Sequence, residues 1–374
     1  MVLRRTTSRF ALFAALGLVA ISAALSAPIT PGNFVLSRVS STAALNGNAT
    51  AVFLDEYTPS GTFVQSIAVP TTASGANLAL TMSGSATSEG GLTISPDGRY
   101  VTFGGYNAAV GTSGIAATTS ATVNRVVGRL DLSTGLVDTT TAFTDAFSGG
   151  NIRSAVTDGT NVWAVGSNTG VRATTFGAAG TSTSISTTLT NMRRIEIFNG
   201  QLYVSSASGT FQGVSTVGTG TPTTSGQTTT LLSGFPTASG PGPYDFWFAD
   251  ANTVYVADDR TSAAGGIQKW TQSGGTWSLA YTMNTSLTSN ALRGLTGTVT
   301  GGVASLYAVS GDNKFVTVTD TGASSTFLTL VTGASNNAFR GLEFAALAAV
   351  PEPGTIALIA LAALPGAALL RRRK

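Results

Sequence analysis

A hairpin unit recurs along the chain and constrains its fold more than any other feature of the sequence. Each unit has an apolar alternating strand, a tight turn such as Asp-Gly or Asn-Gly, and a second strand with a central aromatic residue. Asn-Gly and Asp-Gly between alternating apolar runs are the strongest short-range signals for a β-hairpin. The aromatic residues that mark the units are Tyr100, Trp163, Tyr203, Tyr255 and Tyr307. The repetition predicts a domain assembled from similar antiparallel sheets.

The spacing of these units indicates a β-propeller. Successive marker aromatics lie 40 to 63 residues apart, which leaves room for two further strands after each hairpin. One such pair occurs at 266–270 and 277–281. Four strands in each interval are typical of a propeller blade. A parallel β-helix or a pair of β-sandwiches is the alternative, but a β-helix would show a shorter and more uniform period.

The two ends of this body supply complementary parts of one further blade. Residues 339–344 match the first strand of a sixth unit, after which the body ends. The strands that would complete this unit occur near the start of the chain, at 34–39, 51–57 and 62–67. We therefore predict an all-β domain over 28–348, a β-propeller of six four-stranded blades closed by both termini. A seventh blade within 103–150 is a second possibility, because that interval is the longest.

Residues 1–27 have the features of a secretory signal peptide. Arg4, Arg5 and Arg9 form a positive segment, an apolar run follows over 10–25, and small residues precede Pro28. Such a segment is removed on export and takes no part in the fold. No Phe-Leu follows Arg4-Arg5 where twin-arginine export would require it, so the Sec machinery is the expected route.

The C-terminal residues 349–374 contain three elements in a fixed order. They are Val350, Pro351, Glu352 and Pro353, then an apolar run over 354–370, then Arg371, Arg372, Arg373 and Lys374. The run of 17 residues is at the short limit of a membrane-spanning helix. The cations after it are expected on the cytoplasmic side. A buried helix of a soluble protein is the alternative, but it would carry a polar stripe that 356–370 lacks.

This tail resembles the PEP-CTERM sorting signal of Gram-negative bacteria. The resemblance implies that an exosortase, an integral-membrane protease of the transpeptidase type, recognises and processes the tail. It implies an exported precursor anchored transiently in the inner membrane through the C-terminal helix, and then a cell-surface or extracellular protein. Because the family occurs together with exopolysaccharide production, the resemblance also suggests extracellular polysaccharide as a partner.

Composition excludes several classes of function. Without the terminal segments the body has 13 Lys and Arg against 16 Asp and Glu, so the basic pI belongs to the targeting segments and nucleic acid is not an expected partner. The chain has no Cys and no His. Cys/His zinc sites, haem–His ligation, Ser-His-Asp triads and Cys-His dyads are therefore excluded. We predict no cofactor and no metal.

Two acidic pairs and a group of aromatic residues are candidate binding sites. Asp55-Glu56 and Asp258-Asp259 could bind Ca²⁺, but neither has the spaced pattern of a calcium loop. We expect solvated charges that protect strand edges. The aromatic residues Tyr244, Trp247, Trp270 and Trp277 could stack on sugar rings, although packing within the strands is the favoured interpretation.

Aligning the units brings charged residues to the start of successive innermost strands. They are Glu89, Arg153, Arg193, Asp245, Arg293 and Arg340. In a propeller these positions would meet at one mouth of the central channel. The candidate ligands for an anion such as a uronate or phosphate are Arg153, Arg193, Arg293 and Arg340, because a guanidinium bonds such groups bidentately. The alternative is that the two anions pair with neighbouring arginines and hold the blades together.

Two functions are consistent with this sequence. The favoured one is a non-enzymatic binding or structural propeller of the cell envelope or extracellular matrix, associated with exopolysaccharide. The alternative is a secreted propeller hydrolase or lyase that acts on polysaccharide. The 16 carboxylates of the body are scattered, so no catalytic pair is predicted.

Overall fold

A computed structural model describes residues 27–346 of the chain. This part contains 26 β-strands and one 3-10 turn at Ile115–Ala117, and no α-helix. Within 27–346, therefore, no helix is long and apolar enough to cross a membrane. The predicted sorting tail lies outside the described residues, and so does the predicted signal peptide except for Ala27.

The strands are numbered in chain order. The first are β1 (Phe34–Ser40), β2 (Ala49–Tyr57), β3 (Phe63–Ala68), β4 (Met82–Ser83), β5 (Thr93–Ile94), β6 (Tyr100–Tyr106), β7 (Arg125–Asp131) and β8 (Leu136–Phe143). There follow β9 (Ile152–Thr157), β10 (Asn161–Gly166), β11 (Val171–Thr175), β12 (Ala179–Gly180), β13 (Thr183–Ser186), β14 (Ile195–Phe198), β15 (Gln201–Ser208), β16 (Phe211–Val217) and β17 (Thr229–Leu231). The last are β18 (Pro243–Asp250), β19 (Thr253–Asp258), β20 (Gly266–Ser273), β21 (Thr276–Met283), β22 (Leu292–Thr300), β23 (Val303–Ser310), β24 (Lys314–Thr319), β25 (Leu328–Thr332) and β26 (Asn337–Phe344).

These strands form six sheets arranged as a six-bladed β-propeller. Blade 1 has the order β26-β1-β2-β3, with β4 pairing to β2. Blade 2 is β5 to β8 with β12 at its outer edge, and blade 3 is β9-β10-β11-β13. Blades 4, 5 and 6 are β14 to β17, β18 to β21 and β22 to β25. The predicted all-β fold and blade number are confirmed.

Both ends of the described body build blade 1, as the sequence predicted. Strand β26 pairs antiparallel with β1, from Ser40 opposite Asn337 to Phe34 opposite Phe344. The ring of Phe34 lies 4.1 Å from that of Tyr307 in blade 6 and 5.1 Å from that of Phe344. Aromatic packing therefore closes the ring between blade 6 and blade 1.

The long interval at 103–150 does not contain a seventh blade. It holds the end of β6, strands β7 and β8, and a loop between β6 and β7 that includes the 3-10 turn. Arg125 is fully buried beneath this loop and its guanidinium donates to the carbonyl oxygens of Val123 and Thr118, both at 2.6 Å. The extra length is thus a loop held by one buried cation.

The acidic pairs are not solvated edge charges, contrary to the sequence interpretation. Asp55, Glu56 and Asp258 are at most 1% exposed, and of the two pairs only Asp259 stays partly exposed within the described residues. Hydrogen bonds compensate for this burial. The donors are Ser66 Oγ and Arg38 for Asp55, Asn33 Nδ2 and Gln65 Nε2 for Glu56, and Arg260 and Gln268 for Asp258. In residues 27–346 no group of three or more acidic side chains could hold a metal ion.

Candidate functional site

The predicted charged residues do meet at one end of the channel. Arg153 and Arg293 are the second residues of β9 and β22, Asp245 is the third residue of β18, and Arg340 is the fourth residue of β26. These are the innermost strands of four blades. Arg193 and Glu89 lie shortly before β14 and β5. We name this end the arginine mouth, formed by Arg153, Arg193, Arg194, Arg293, Arg340 and Tyr244.

Tyr244 stands among the cations of this mouth. The guanidinium carbons of Arg193 and Arg194 each lie 5.2 Å from its ring centre, and that of Arg293 lies 6.0 Å away. These distances permit cation–π attraction. The Tyr244 hydroxyl donates a hydrogen bond of 2.9 Å to the carbonyl oxygen of Thr87, in the segment before blade 2. Tyr244 is only 2% exposed, so it is a packed residue, as favoured from the sequence.

Arg194 is the residue of this site that sequence reasoning missed. It is fully buried, and its Nε donates to Asp245 Oδ2 at 3.0 Å. Its Nη2 donates to the carbonyl oxygen of Arg293 at 2.8 Å. A Cβ atom at Gly91 would lie 2.2 Å from Arg194 Nη1, which shows how closely the guanidinium approaches the segment before β5. The available sequence signal was that Arg194, and not Arg193, directly precedes β14.

The two anions of the mouth behave differently. Asp245 pairs with Arg194 and also accepts backbone hydrogen bonds from Phe246 and Leu295. Glu89 forms no ion pair at contact distance with any residue of 27–346. Its oxygens accept from Tyr106 at 2.5 Å, Asn151 at 2.6 Å and the Ser83 backbone at 2.8 Å. Burial raises the pKa of both carboxyl groups, although these hydrogen bonds oppose the rise. Of the two anions, therefore, only Asp245 forms the ion pair with a neighbouring arginine that the sequence analysis gave as the alternative to ligand binding.

Several arginine N–H groups of the mouth are buried and have no acceptor in the part of the chain that the structure describes. They are Nε of Arg153, Arg293 and Arg340 and Nη1 of Arg194. Leaving a buried donor unpaired costs about 1–3 kcal/mol, and more for a charged group. Burial, together with repulsion from Arg193 and Arg194, lowers the pKa of Arg153 to about 10. The mouth thus carries more positive charge than its own carboxylates neutralise.

The opposite mouth contains a cavity of about 460 Å³. Its wall includes Trp247, the half-buried member of the aromatic group, together with Phe198, Thr296 and Glu343. Glu343 accepts from Thr296 Oγ1 at 2.8 Å, and burial raises its pKa to about 8. The pKa of Glu196, in blade 4, is also raised, by burial and then by repulsion from Asp245 and Glu343. The tertiary structure therefore brings the carboxyl groups of Glu196 and Glu343 near enough to repel each other, which the sequence could not show.

Comparison with known proteins extends no further than architecture. No protein-family model matches the chain, and no curated protein is significantly similar in sequence. A solved structure from Bacteroides uniformis, provisionally named a 6-phosphogluconolactonase, has a TM-score of 0.47 and 11% identity over 80% of this chain and 82% of that one. A second, from Bacteroides fragilis and with the same provisional name, has a TM-score of 0.46 and 12% identity over 78% and 80%. The likeness is one of fold. Neither structure supports a statement about activity at these values.

Proposed function

We propose that this chain is an exported propeller that binds anionic polysaccharide at the arginine mouth and does not turn it over. The observation that carries the proposal is the set of five arginines from four blades around Tyr244, with buried N–H groups that lack acceptors. Cations that converge at a concave mouth raise the local potential, and guanidinium groups match the geometry of oxyanions.

The same proposal includes export of the protein to the cell surface or beyond, and the sequence supports this location. Residues 1–27 direct Sec export, and 349–374 resemble the tail that an exosortase processes. The precursor is held in the inner membrane and the processed protein acts at the cell surface or outside the cell. A binding protein in that location meets the acidic polysaccharides of the extracellular matrix.

The test is calorimetric titration of the processed protein with a uronate-rich polysaccharide and with a neutral glucan. We expect binding of the acidic polymer only, and weaker binding as salt is raised, because screening acts on exposed charges. Arg293→Gln should weaken binding. The matched control is Arg99→Gln, which removes an exposed arginine from the β5–β6 hairpin. Equal losses in the two variants would mean that affinity follows net charge and not the mouth.

A hydrolase or lyase acting on polysaccharide is the second candidate. It is favoured by Glu343, which lines the 460 Å³ cavity and whose pKa is raised by burial, because a carboxyl group that stays protonated near neutral pH can act as a general acid. The discriminating variant is Glu343→Gln, tested on a panel of polysaccharides. Turnover that disappears in Glu343→Gln and persists in Arg293→Gln would favour the enzyme over the binding protein.

A further inference from the structure

A second, smaller cavity lies within the arginine mouth, between blades 6 and 1. Its volume is about 50 Å³, and its wall includes Thr87, Arg293, Ser310, Asn313, Phe339 and Arg340. Thr87 is exposed and Arg293 is partly exposed, so the cavity communicates with solvent on that side. A space of this size exceeds the ~10–15 Å³ that one water molecule requires, and it suits one compact group rather than a sugar ring.

Two neutral polar side chains of this wall, those of Ser310 and Asn313, already have partners. Ser310 Oγ donates to Asp312 at 2.5 Å and accepts from the Lys314 backbone at 3.1 Å. Asn313 donates to the carbonyl oxygen of Asn337 at 2.9 Å and accepts from the Phe339 backbone at 2.8 Å. The Ser310 hydroxyl and the Asn313 amide are therefore already hydrogen-bonded within the protein, and a ligand in the cavity would have to bind through other groups.

The two arginines of the wall are not fully committed. Arg340 is 3% exposed and its Nη2 donates to the carbonyl oxygen of Gly84, but its Nε has no acceptor within residues 27–346. Arg293 Nε also has no hydrogen-bond acceptor. The carboxylate of Asp259 lies 3.7 Å from it, which is close enough for attraction and too far for a hydrogen bond. Two arginines that each have an Nε–H group without an acceptor among the described residues thus line the same small cavity.

The surroundings favour an anion in that space. Among the anions, Glu89 has the strongest attraction for the Arg340 guanidinium. The Glu89 oxygens, however, already accept hydrogen bonds from Tyr106, Asn151 and the Ser83 backbone. Phe339 makes part of the wall apolar, and an apolar wall strengthens the attraction between a guanidinium and an anion. Arg194 donates to the carbonyl oxygen of Arg293, so it fixes the backbone that carries one of the two cations.

We infer that this cavity is the subsite for one compact oxyanion carried by a saccharide, a carboxylate or a sulfate group, held between Arg293 and Arg340. The inference rests on the proposed binding function and deepens it by naming the recognised group. Asp259 is then a competitor of the ligand for Arg293, and its removal should favour binding.

The experiment is competition calorimetry on the processed protein with bound uronate-rich polysaccharide. The competitors are potassium glucuronate, glucose 6-sulfate and glucose. We expect at least one of the two anionic sugars to displace the polymer while glucose does not, and the comparison between them separates carboxylate from sulfate. Arg293→Gln should weaken binding of the displacing sugar about tenfold, as expected for a charged hydrogen bond. Asp259→Asn should tighten it.

The possible outcomes separate this inference from the proposed function. If no acidic polysaccharide binds at all, the proposed function fails and the subsite fails with it. If the polymer binds but neither anionic sugar competes, or if glucose competes equally, only the subsite is wrong. Unchanged affinity in both Arg293→Gln and Asp259→Asn would overturn it as well. Both substituted side chains are partly exposed, so these variants test the subsite even if Arg340→Gln does not fold.

Discussion

Arg194 and Asp245 form a buried ion pair that joins blade 4 to blade 5, with 3.0 Å between Nε and Oδ2 and side-chain exposures of 0% and 2%. The same guanidinium reaches the backbone of blade 6 through the Arg293 carbonyl oxygen. One side chain therefore links the innermost strands of three blades.

Breaking this pair should destabilise the propeller strongly. Arg194→Met leaves the Asp245 carboxylate buried without its counter-charge, and losses of about 3–5 kcal/mol are usual in such cases. Urea denaturation should show the midpoint shifted downwards. Arg99→Gln, which affects an exposed ion pair with Asp131, should keep the parent midpoint. An Arg194→Met protein as stable as the parent would contradict a structural role for the pair.

Gly91→Ala should damage the same network without removing a charge. The new Cβ would lie 2.2 Å from Arg194 Nη1, so the guanidinium must move away from Asp245 or the backbone must shift. We expect a lower thermal midpoint in a calorimetric scan. Gly180→Ala is the matched control, because a Cβ there meets no atom within 4 Å. Equal midpoints for the two variants would refute the close approach.

Stability should fall as pH rises towards 8 because of Glu343. Its pKa is about 8 in the folded protein against an ordinary 4.5, so between these values the folded state holds a proton that the unfolded state has lost. The free energy of unfolding then decreases by up to about 1.4 kcal/mol per pH unit and levels off above pH 8.

Glu196 and Asp245 also have raised pKa values and act in the same direction, while the nearby Arg194 opposes them. Glu343→Gln should flatten the slope measured by urea denaturation between pH 6 and 8. A parent whose stability increases over that interval would show that Glu343 is ionised in the fold.

The closure of the ring should depend on Phe34. Its side chain is fully buried against Tyr307, Phe315 and Phe344. Phe34→Ala removes packing from the seam between blades 6 and 1 and should cost about 3–5 kcal/mol. Chemical denaturation measures the loss. The control is Phe63→Ala in the same blade, whose ring is 53% exposed and whose removal should change little.

The sorting proposal predicts that the mature protein lacks both ends. Intact-mass analysis of native material should find a start between residues 25 and 28 and an end near 351–354. The measurement requires a host that produces an exosortase. Recovery of a chain that still ends in Arg371–Lys374 from such a host would exclude processing of the tail.

Local chemistry explains what the sequence predicted well. The alternation of apolar residues and the Asn-Gly and Asp-Gly turns act within about ten residues, so hairpins such as β9–β10 and β14–β15 were readable in the sequence. Their repetition gave the blades, and the match between 34–67 and 339–344 gave the closure of the ring. The length of the interval at 103–150 did not fix the number of blades, because a long loop and an additional pair of strands occupy the same number of residues.

The sequence by itself determined the blade pattern, the termini that close it and four of the five arginines that border one mouth. Only the tertiary structure decided how those charges are used. Arg194 lies 51 residues from Asp245 and 99 from Arg293, and Glu196 interacts with Glu343 from the facing part of the ring. Burial of Asp55, Glu56 and Asp258 was missed for the same reason. Side-chain partners and burial depend on neighbours brought together by folding, and no local pattern encodes those neighbours.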